Sequence, residues 1–289
     1  MAVYEHSYRR YEGPLTPPRW RFLILPRYAV AEVLRGRLFI ALFTLCFAPP
    51  FAGLIMIYLH HNLSALKLLN LPLDRLQEAL PIDSLFFERG LALQGFMAFL
   101  IALAVGPALI SPDLRNNGLP LYFSRPFSRA EYVLGKMSVL VVLMSLVTWV
   151  PGLLLFFLEA NLEGAEWLAA HWRIAGALIA ASAAWIALLS LVVLAVSAWV
   201  KWKPVARIVI LILYFVLAGF GLAADKVLGT WWGVMFSMQQ VWSRLRAALF
   251  DVPAENDLPV AAAMAALAAG CLICLWLLSR RVRAYEVVR

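Results

Sequence analysis

Long apolar stretches separated by short polar and basic ones set the pattern of this chain. Six of them are nearly free of charge: Leu38–Leu59, Leu91–Ile110, Leu134–Leu158, Ile174–Val200, Val205–Ala224 and Pro259–Leu278. At about 1.5 Å rise per residue, each is long enough to cross a hydrocarbon core of about 30 Å. Lipid offers no water to unpaired backbone amides, so each stretch predicts a helix and the fold class is all-α with six transmembrane helices. Pro49-Pro50 predicts a kink in the first span, and Gly106-Pro107 a break near the end of the second. Lys201-Trp202-Lys203-Pro204 leaves only a tight surface turn between the fourth and fifth. No span has an Asp, Glu or Lys at its midpoint.

Composition agrees with this pattern. Of 289 residues, 63% are hydrophobic and 15% charged, with a mean hydropathy of +0.81. A water-soluble fold of this size could not hide so much apolar surface, which predicts one membrane domain rather than two soluble ones. The first apolar run begins near Leu38, after a substantial polar segment, which is too late and too long for a signal peptide. Cys46, Cys271 and Cys274 all lie in apolar runs, so the C-x-x-C spacing of the last two reads as packed thiols rather than a metal or redox site.

The net charge of +8 is parcelled out between spans rather than gathered on a nucleic-acid-binding face. The N-terminus, the 111–136 loop, the 201–207 turn and the C-terminus hold 18 of the 25 Lys and Arg but 6 of the 17 Asp and Glu. The positive-inside rule assigns those segments, and both termini, to the cytoplasm. Three flanking segments predict structure of their own. Tyr28–Arg37 reads as an interfacial helix anchored by Arg27, Arg35 and Arg37. Leu73–Phe87 reads as partly helical with a proline interruption. Trp231–Phe250 reads as an amphipathic helix lying at the outer interface or dipping into it, with Trp231, Trp232 and Trp242 as belt residues and Arg244 and Arg246 on its polar side.

The loop Ser111–Lys136 is unusually punctuated. Ser111-Pro112-Asp113 looks like a helix start, and Asn116-Asn117-Gly118 is turn chemistry. Leu119–Phe123 is a short apolar and aromatic patch that includes Tyr122. Arg125-Pro126 stops it, and Ser128 with Glu131 three residues later forms a capping box for a helix that runs through Tyr132, Gly135 and Lys136 into the third span. A rigid element presenting apolar and basic groups could receive mechanical work from a soluble partner; it could equally be a re-entry loop whose arginines hold topology.

The run from Gly106 to Lys136 resembles the cytoplasmic loop of the membrane (permease) subunit of ABC-2 type ABC transporters. The matching pieces are Asp113, Gly118-Leu119, Ser124-Arg125-Pro126, Ser128-Arg129 and Leu134-Gly135-Lys136. The tail from Arg280 to Val288 is similar to that family's ending. Ahead of the glycine, where the family often has a Glu/Arg-rich stretch, this chain has the less charged Leu114-Arg115-Asn116-Asn117. The resemblance implies an exporter-like six-helix fold with an N-terminal elbow helix in 1–37, a transmembrane domain over 38–278 and a basic tail over 279–289. It implies a coupling helix between spans two and three, with Asp113, Arg115, Gly118, Leu119, Tyr122, Phe123, Arg125, Pro126, Ser128 and Arg129 at the ATPase-docking site. It further implies a bacterial inner-membrane location, a second copy of the chain or a close homologue, and two copies of a separate cytoplasmic subunit that binds ATP and Mg.

The chain itself shows no catalytic motif. There is no G-x-x-x-x-G-K-[ST], no H-E-x-x-H and no G-x-S-x-G. His6, His60, His61 and His171 read as surface or interfacial residues, with no metal ligand expected. The competing readings are an ion-driven secondary transporter, for which no internal repeat is visible, a membrane enzyme, for which no polar cluster is visible, and a non-transporting scaffold or regulator.

Overall fold

The computed structural model describes residues 24–62, 81–116, 118, 128–228 and 231–282. Six helices, some in two pieces, are long and apolar enough to cross a membrane: Arg37–His61, Ser84–Arg115, Arg129–Glu163, Ala165–Trp199, Lys203–Val227 and Val260–Arg281. Each contains most or all of one expected stretch. The chain is a polytopic, all-α membrane protein. Because consecutive spans alternate in direction, the ends near residues 37, 115, 129, 200 and 281 share one face of the bundle. Those near 61, 84, 164, 228 and 260 share the other. They are termed the first and second faces.

A short helix, α1 (Ile24–Val33), precedes the bundle. The interfacial helix therefore starts before Tyr28 and ends at Val33; Arg35 lies in the following turn, and Arg37 opens the first span. That span is α2 (Arg37–Leu45) and α3 (Ala48–His61), parted where Pro49-Pro50 remove amides the helix needs. The kink is observed as expected. The second span is one helix, α4 (Ser84–Arg115), started by the Asp83 carboxylate accepting from the amides of Leu85 and Phe86 at 3.0 and 3.1 Å.

Two expectations about α4 are overturned. Gly106-Pro107 does not break it, and Ser111-Pro112-Asp113 lies inside its last turns rather than starting a helix. Neighbouring spans pack closely on it there. Arg207 donates to the carbonyl of Ala104 at 3.3 Å, and Ser197 Oγ lies 2.7 Å from the carbonyl of Val193 in its own helix and 3.2 Å from that of Gly106. Ser111 caps nothing. Its hydroxyl faces the carbonyls of Val200 and Ser197, at 2.7 and 3.2 Å, and so ties α4 to the end of the fourth span.

The third span divides into α5 (Arg129–Ser145) and α6 (Trp149–Glu163), a break the apolar pattern does not reveal. Pro151 lacks the amide that would close on Val147, and Thr148 Oγ1 donates to the carbonyl of Met144 at 2.8 Å in the turn. The fourth span is α7 (Ala165–Trp199), the most buried of the six. The fifth is α8 (Lys203–Leu211) and α9 (Leu217–Leu228) joined by a π-helical turn, Ile212–Val216. That turn delivers the buried Tyr214 onto Phe99 of α4, with ring centroids 3.7 Å apart. After a 3₁₀ turn at Gly233–Phe236 come α10 (Met238–Phe250) and the last span, α11 (Val260–Arg281).

α4 and α7 form the spine. At Gly106 a side chain would collide with Val193, so only glycine permits the approach. Toward the second face, α10 is wedged against the same pair. Its Trp242 is 2% exposed and stacks on Trp185 of α7, with centroids 4.4 Å apart. Each indole N–H is satisfied across the interface: Trp185 donates to the carbonyl of Gly95, and Trp242 to that of Ala181, both at 2.9 Å. Arg246 is buried too, 2.9 Å from Glu88 of α4 and with its guanidinium 4.1 Å from the centroid of the Trp242 ring. This corrects the placing of Trp242 in an interfacial belt and of Arg246 on a polar face. α10 does dip inward, because an indole that can hydrogen-bond helix carbonyls and an arginine with a facing glutamate fill the interior without unpaired groups. Arg244 donates to the carbonyl of Leu258 at 2.6 Å.

A side chain at Gly95 would run into the Trp242 ring. Gly95→Ala is expected to lower the melting temperature of the detergent-solubilised protein, by the roughly 1–3 kcal/mol typical of overpacking. Combined with Trp242→Leu, its penalty should shrink, because the colliding ring is gone. Equal penalties in both backgrounds would contradict this packing.

Candidate functional site

The first face carries Asp113, Arg115, Gly118, Ser128 and Arg129 of the expected docking surface, and the chain builds it from three helix ends. α5 begins with a complete capping box: Glu131 N–H donates to Ser128 Oγ at 3.2 Å, and Ser128 N–H donates to Glu131 Oε2 at 2.6 Å. This expectation is met. α4 ends at Arg115, and the Gly118 amide turns back to donate to the carbonyl of Asp113 at 2.7 Å. The turn expected around Asn116 and Gly118 is therefore present at both of those residues. Leu119, Tyr122, Phe123, Arg125 and Pro126 lie outside the described residues, as do Asn117 and residues 283–289 of the tail.

What holds the two stems of the loop together is a buried polar tie. Asp113 Oδ2 accepts from the Tyr132 hydroxyl at 2.7 Å and pairs with Lys136 Nζ at 3.0 Å. Tyr132 and Lys136 are four residues apart, so they share one face of α5 and can meet a single carboxylate. Lys136 is 8% exposed and Tyr132 fully buried. Asp113, Ser128 and Arg129 belong to the expected site; Tyr132 and Lys136 read from sequence as parts of the helix entering the third span, Lys136 also as the end of the Leu134-Gly135-Lys136 match. The signal for the tie was present as a short acid on one stem and a Tyr-x-x-x-Lys on the other, but sequence alone does not say that the stems touch.

The same face is braced laterally. The Arg115 guanidinium lies 5.5 Å from the centroid of the Trp202 ring, in the turn between the fourth and fifth spans. α1 packs along α5, with Ala29, Val30 and Val33 against the core and Arg27 exposed. Arg35 and Arg37 are exposed as well. Between α1, α2, α4 and α8 is a cleft of about 560 Å³, mostly apolar but with Glu32, Lys136 and Arg207 on its wall. On the second face, the structure brings His61 to Glu159 and Glu163, a polar cluster that the sequence reading passed over.

No protein-family model matches this chain, and no curated protein matches it.

Lys136→Met leaves the Asp113 carboxylate without its cation. Because Asp113 is 19% exposed and keeps its bond from Tyr132, the cost is expected to fall below the ~3–5 kcal/mol of a fully buried charge stripped of its partner. Adding Asp113→Asn should restore part of it, while Tyr132→Phe should cost about 1.5–3 kcal/mol, as for a hydrogen bond to a charged group. Thermal melts in one detergent, read as a double-mutant cycle, check this; additive losses would mean the two residues do not form a pair.

Proposed function

We propose that this chain is the permease subunit of an ABC-2 type transporter, forming half of a transmembrane pathway that a separate ATPase drives. The observation that carries the reading is the tied pair of stems at residues 113 and 128–136, in the segment whose sequence resembles the ABC-2 cytoplasmic loop. A coupling element must pass on displacement rather than absorb it. A capping box fixes where α5 starts, and the Asp113–Tyr132–Lys136 tie makes α4 and α5 move together, so a push on residues 118–127 reaches two spans at once.

On this reading the first face is cytoplasmic, in agreement with its excess of Lys and Arg. The location is the bacterial inner membrane, and the permease works as a pair, with ATP and Mg bound by two copies of the partner. α1 serves as the elbow helix. It lies along α5, where it would move with the coupling element. The first, fifth and sixth spans are the least buried of the six, which leaves apolar surface for lipid and for a second copy. The cleft of about 560 Å³ between α1, α2, α4 and α8 opens beside that surface. Its apolar wall with two cations and one anion suits an amphipathic substrate taken from the cytoplasmic leaflet, and hence export.

Expression with the candidate ATPase should yield a complex that co-purifies and hydrolyses ATP in a vanadate-sensitive manner. Tyr122→Glu with Phe123→Glu, which charge the apolar patch of the loop, should abolish co-purification while the permease still folds. Undiminished association and hydrolysis in that variant would refute the docking assignment.

A further inference from the structure

Three side chains converge on the second face, away from the proposed coupling surface. His61 is the last residue of α3, and Glu159 and Glu163 lie one turn apart in the last turns of α6. That i, i+4 spacing puts both carboxylates on one stripe of the helix. His61 Nε2 is 3.2 and 3.1 Å from the two oxygens of Glu159 and 3.8 Å from Oε1 of Glu163. One donor atom from each residue lies within 4.8 Å of the other two. Glu159 is 1% exposed, whereas the Glu163 side chain is 41% exposed and gives the group access to solvent.

The three groups do not neutralise one another. Two carboxylates bring two negative charges; a neutral imidazole offsets none of them, and an imidazolium offsets one. Nor does the hydrogen count close, since one imidazole nitrogen carries a single hydrogen and three carboxylate oxygens surround it. Among the described residues, no Lys or Arg forms an ion pair with either glutamate. A buried carboxylate such as Glu159 is costly without a compensating cation; an imidazolium at His61 would serve it but would leave the Glu163 carboxylate over. A divalent ion with a neutral imidazole balances the charge and accepts a lone pair from all three groups.

The spacing fits as well. Ligands at about 2.0–2.2 Å from a tetrahedral ion stand roughly 3.3–3.6 Å from one another. From His61 Nε2 the separations are 3.1 or 3.2 Å to Glu159 and 3.8 Å to Glu163, and all three donor atoms lie within 4.8 Å of one another, so small side-chain shifts would close them on an ion. One imidazole with two carboxylates is the donor set of first-row divalent ions, and four-coordinate zinc matches it with one position left for water.

We propose that His61, Glu159 and Glu163 bind a divalent first-row metal ion, best matched by Zn²⁺, which clasps the first span to the third. The first span needs such a clasp. It is among the least buried spans, and α3 meets the rest of the bundle mainly through α4 and α6. A metal bound at its last residue would fix the second-face end of α3 to the end of α6. The inference does not rest on the transport reading, because the cluster shares no residue with the coupling face.

The test uses the full-length, tag-free chain in detergent, stripped with a chelator and dialysed against Zn²⁺. One equivalent of zinc per chain is expected, with an X-ray absorption spectrum showing nitrogen and oxygen donors that include one imidazole. His61→Ala and Glu163→Gln each remove a ligand and should weaken binding by at least the roughly tenfold to 100-fold typical of losing a residue that only orients one. Glu163 is exposed enough that Glu163→Gln should keep the melting temperature of the metal-free parent, so loss of zinc in that variant is not loss of fold. Zinc should also slow hydrogen exchange over residues 48–62 in the parent and not in Glu163→Gln. A stripped parent that takes up no zinc at micromolar concentration, or variants that bind it as tightly as the parent, would overturn the proposal.

Discussion

Close contact between α4 and α7 is the constraint on which the other packing depends. Lipid gives two helices no hydrophobic reason to associate, so they are held by near-backbone contact and by hydrogen bonds that cross between them. Gly106 admits Val193, and Ser111 and Ser197 place their hydroxyls on carbonyls of the opposite helix. Toward the second face the same two helices part just enough to receive Trp242, whose ring fills the space that a side chain at Gly95 would occupy. With this spine fixed, the fifth span docks through Tyr214 on Phe99, and α10 can carry a buried arginine because Glu88 of α4 is already in place.

Prolines in the spans have different outcomes. Pro107 and Pro112 lie in α4, packed on α7 and α8, and the helix continues through them. At Pro49-Pro50 and Pro151, in the first and third spans, the helices divide. An unbroken α4 carries Asp113 to the place where α5 begins, so the two stems of the first-face loop are joined by a buried ion pair instead of hanging from independent helices. In the proposed transporter, that union lets one push from an ATPase tilt two spans together. The second face would be held by a different device, a metal drawn to a histidine and two glutamates that cannot neutralise one another.

The parts of this fold legible in the sequence are those governed by a local rule. Span number and extent follow from runs of Leu, Val, Ala and Phe, the kink from Pro49-Pro50, and the start of α5 from Ser128 and Glu131. Features set by a neighbour were not legible. Gly106-Pro107 reads as a break, yet α4 runs on through it, packed on Val193 and Arg207 about 90–100 residues away in sequence. Trp242 and Arg246 carry the signature of an interfacial helix because their partners, Gly95, Ala181 and Glu88, are invisible to periodicity. The candidate site divides in the same way: Asp113 and Ser128 stood out by turn and cap chemistry, whereas Tyr132 and Lys136 gain their role only from the carboxylate opposite. His61 reads as a surface residue until α6 brings two glutamates to it.

In the proposed transporter, one face of this bundle receives work through residues 111–136. Cryo-electron microscopy of the purified assembly, with a nucleotide analogue bound, is the decisive measurement. Two copies of this chain are expected side by side, with residues 118–127 of each seated in a groove of an ATPase and the Asp113–Lys136 pair intact behind them. An ATPase bound elsewhere on the chain, or residues 118–127 facing solvent in the assembled complex, would contradict this coupling.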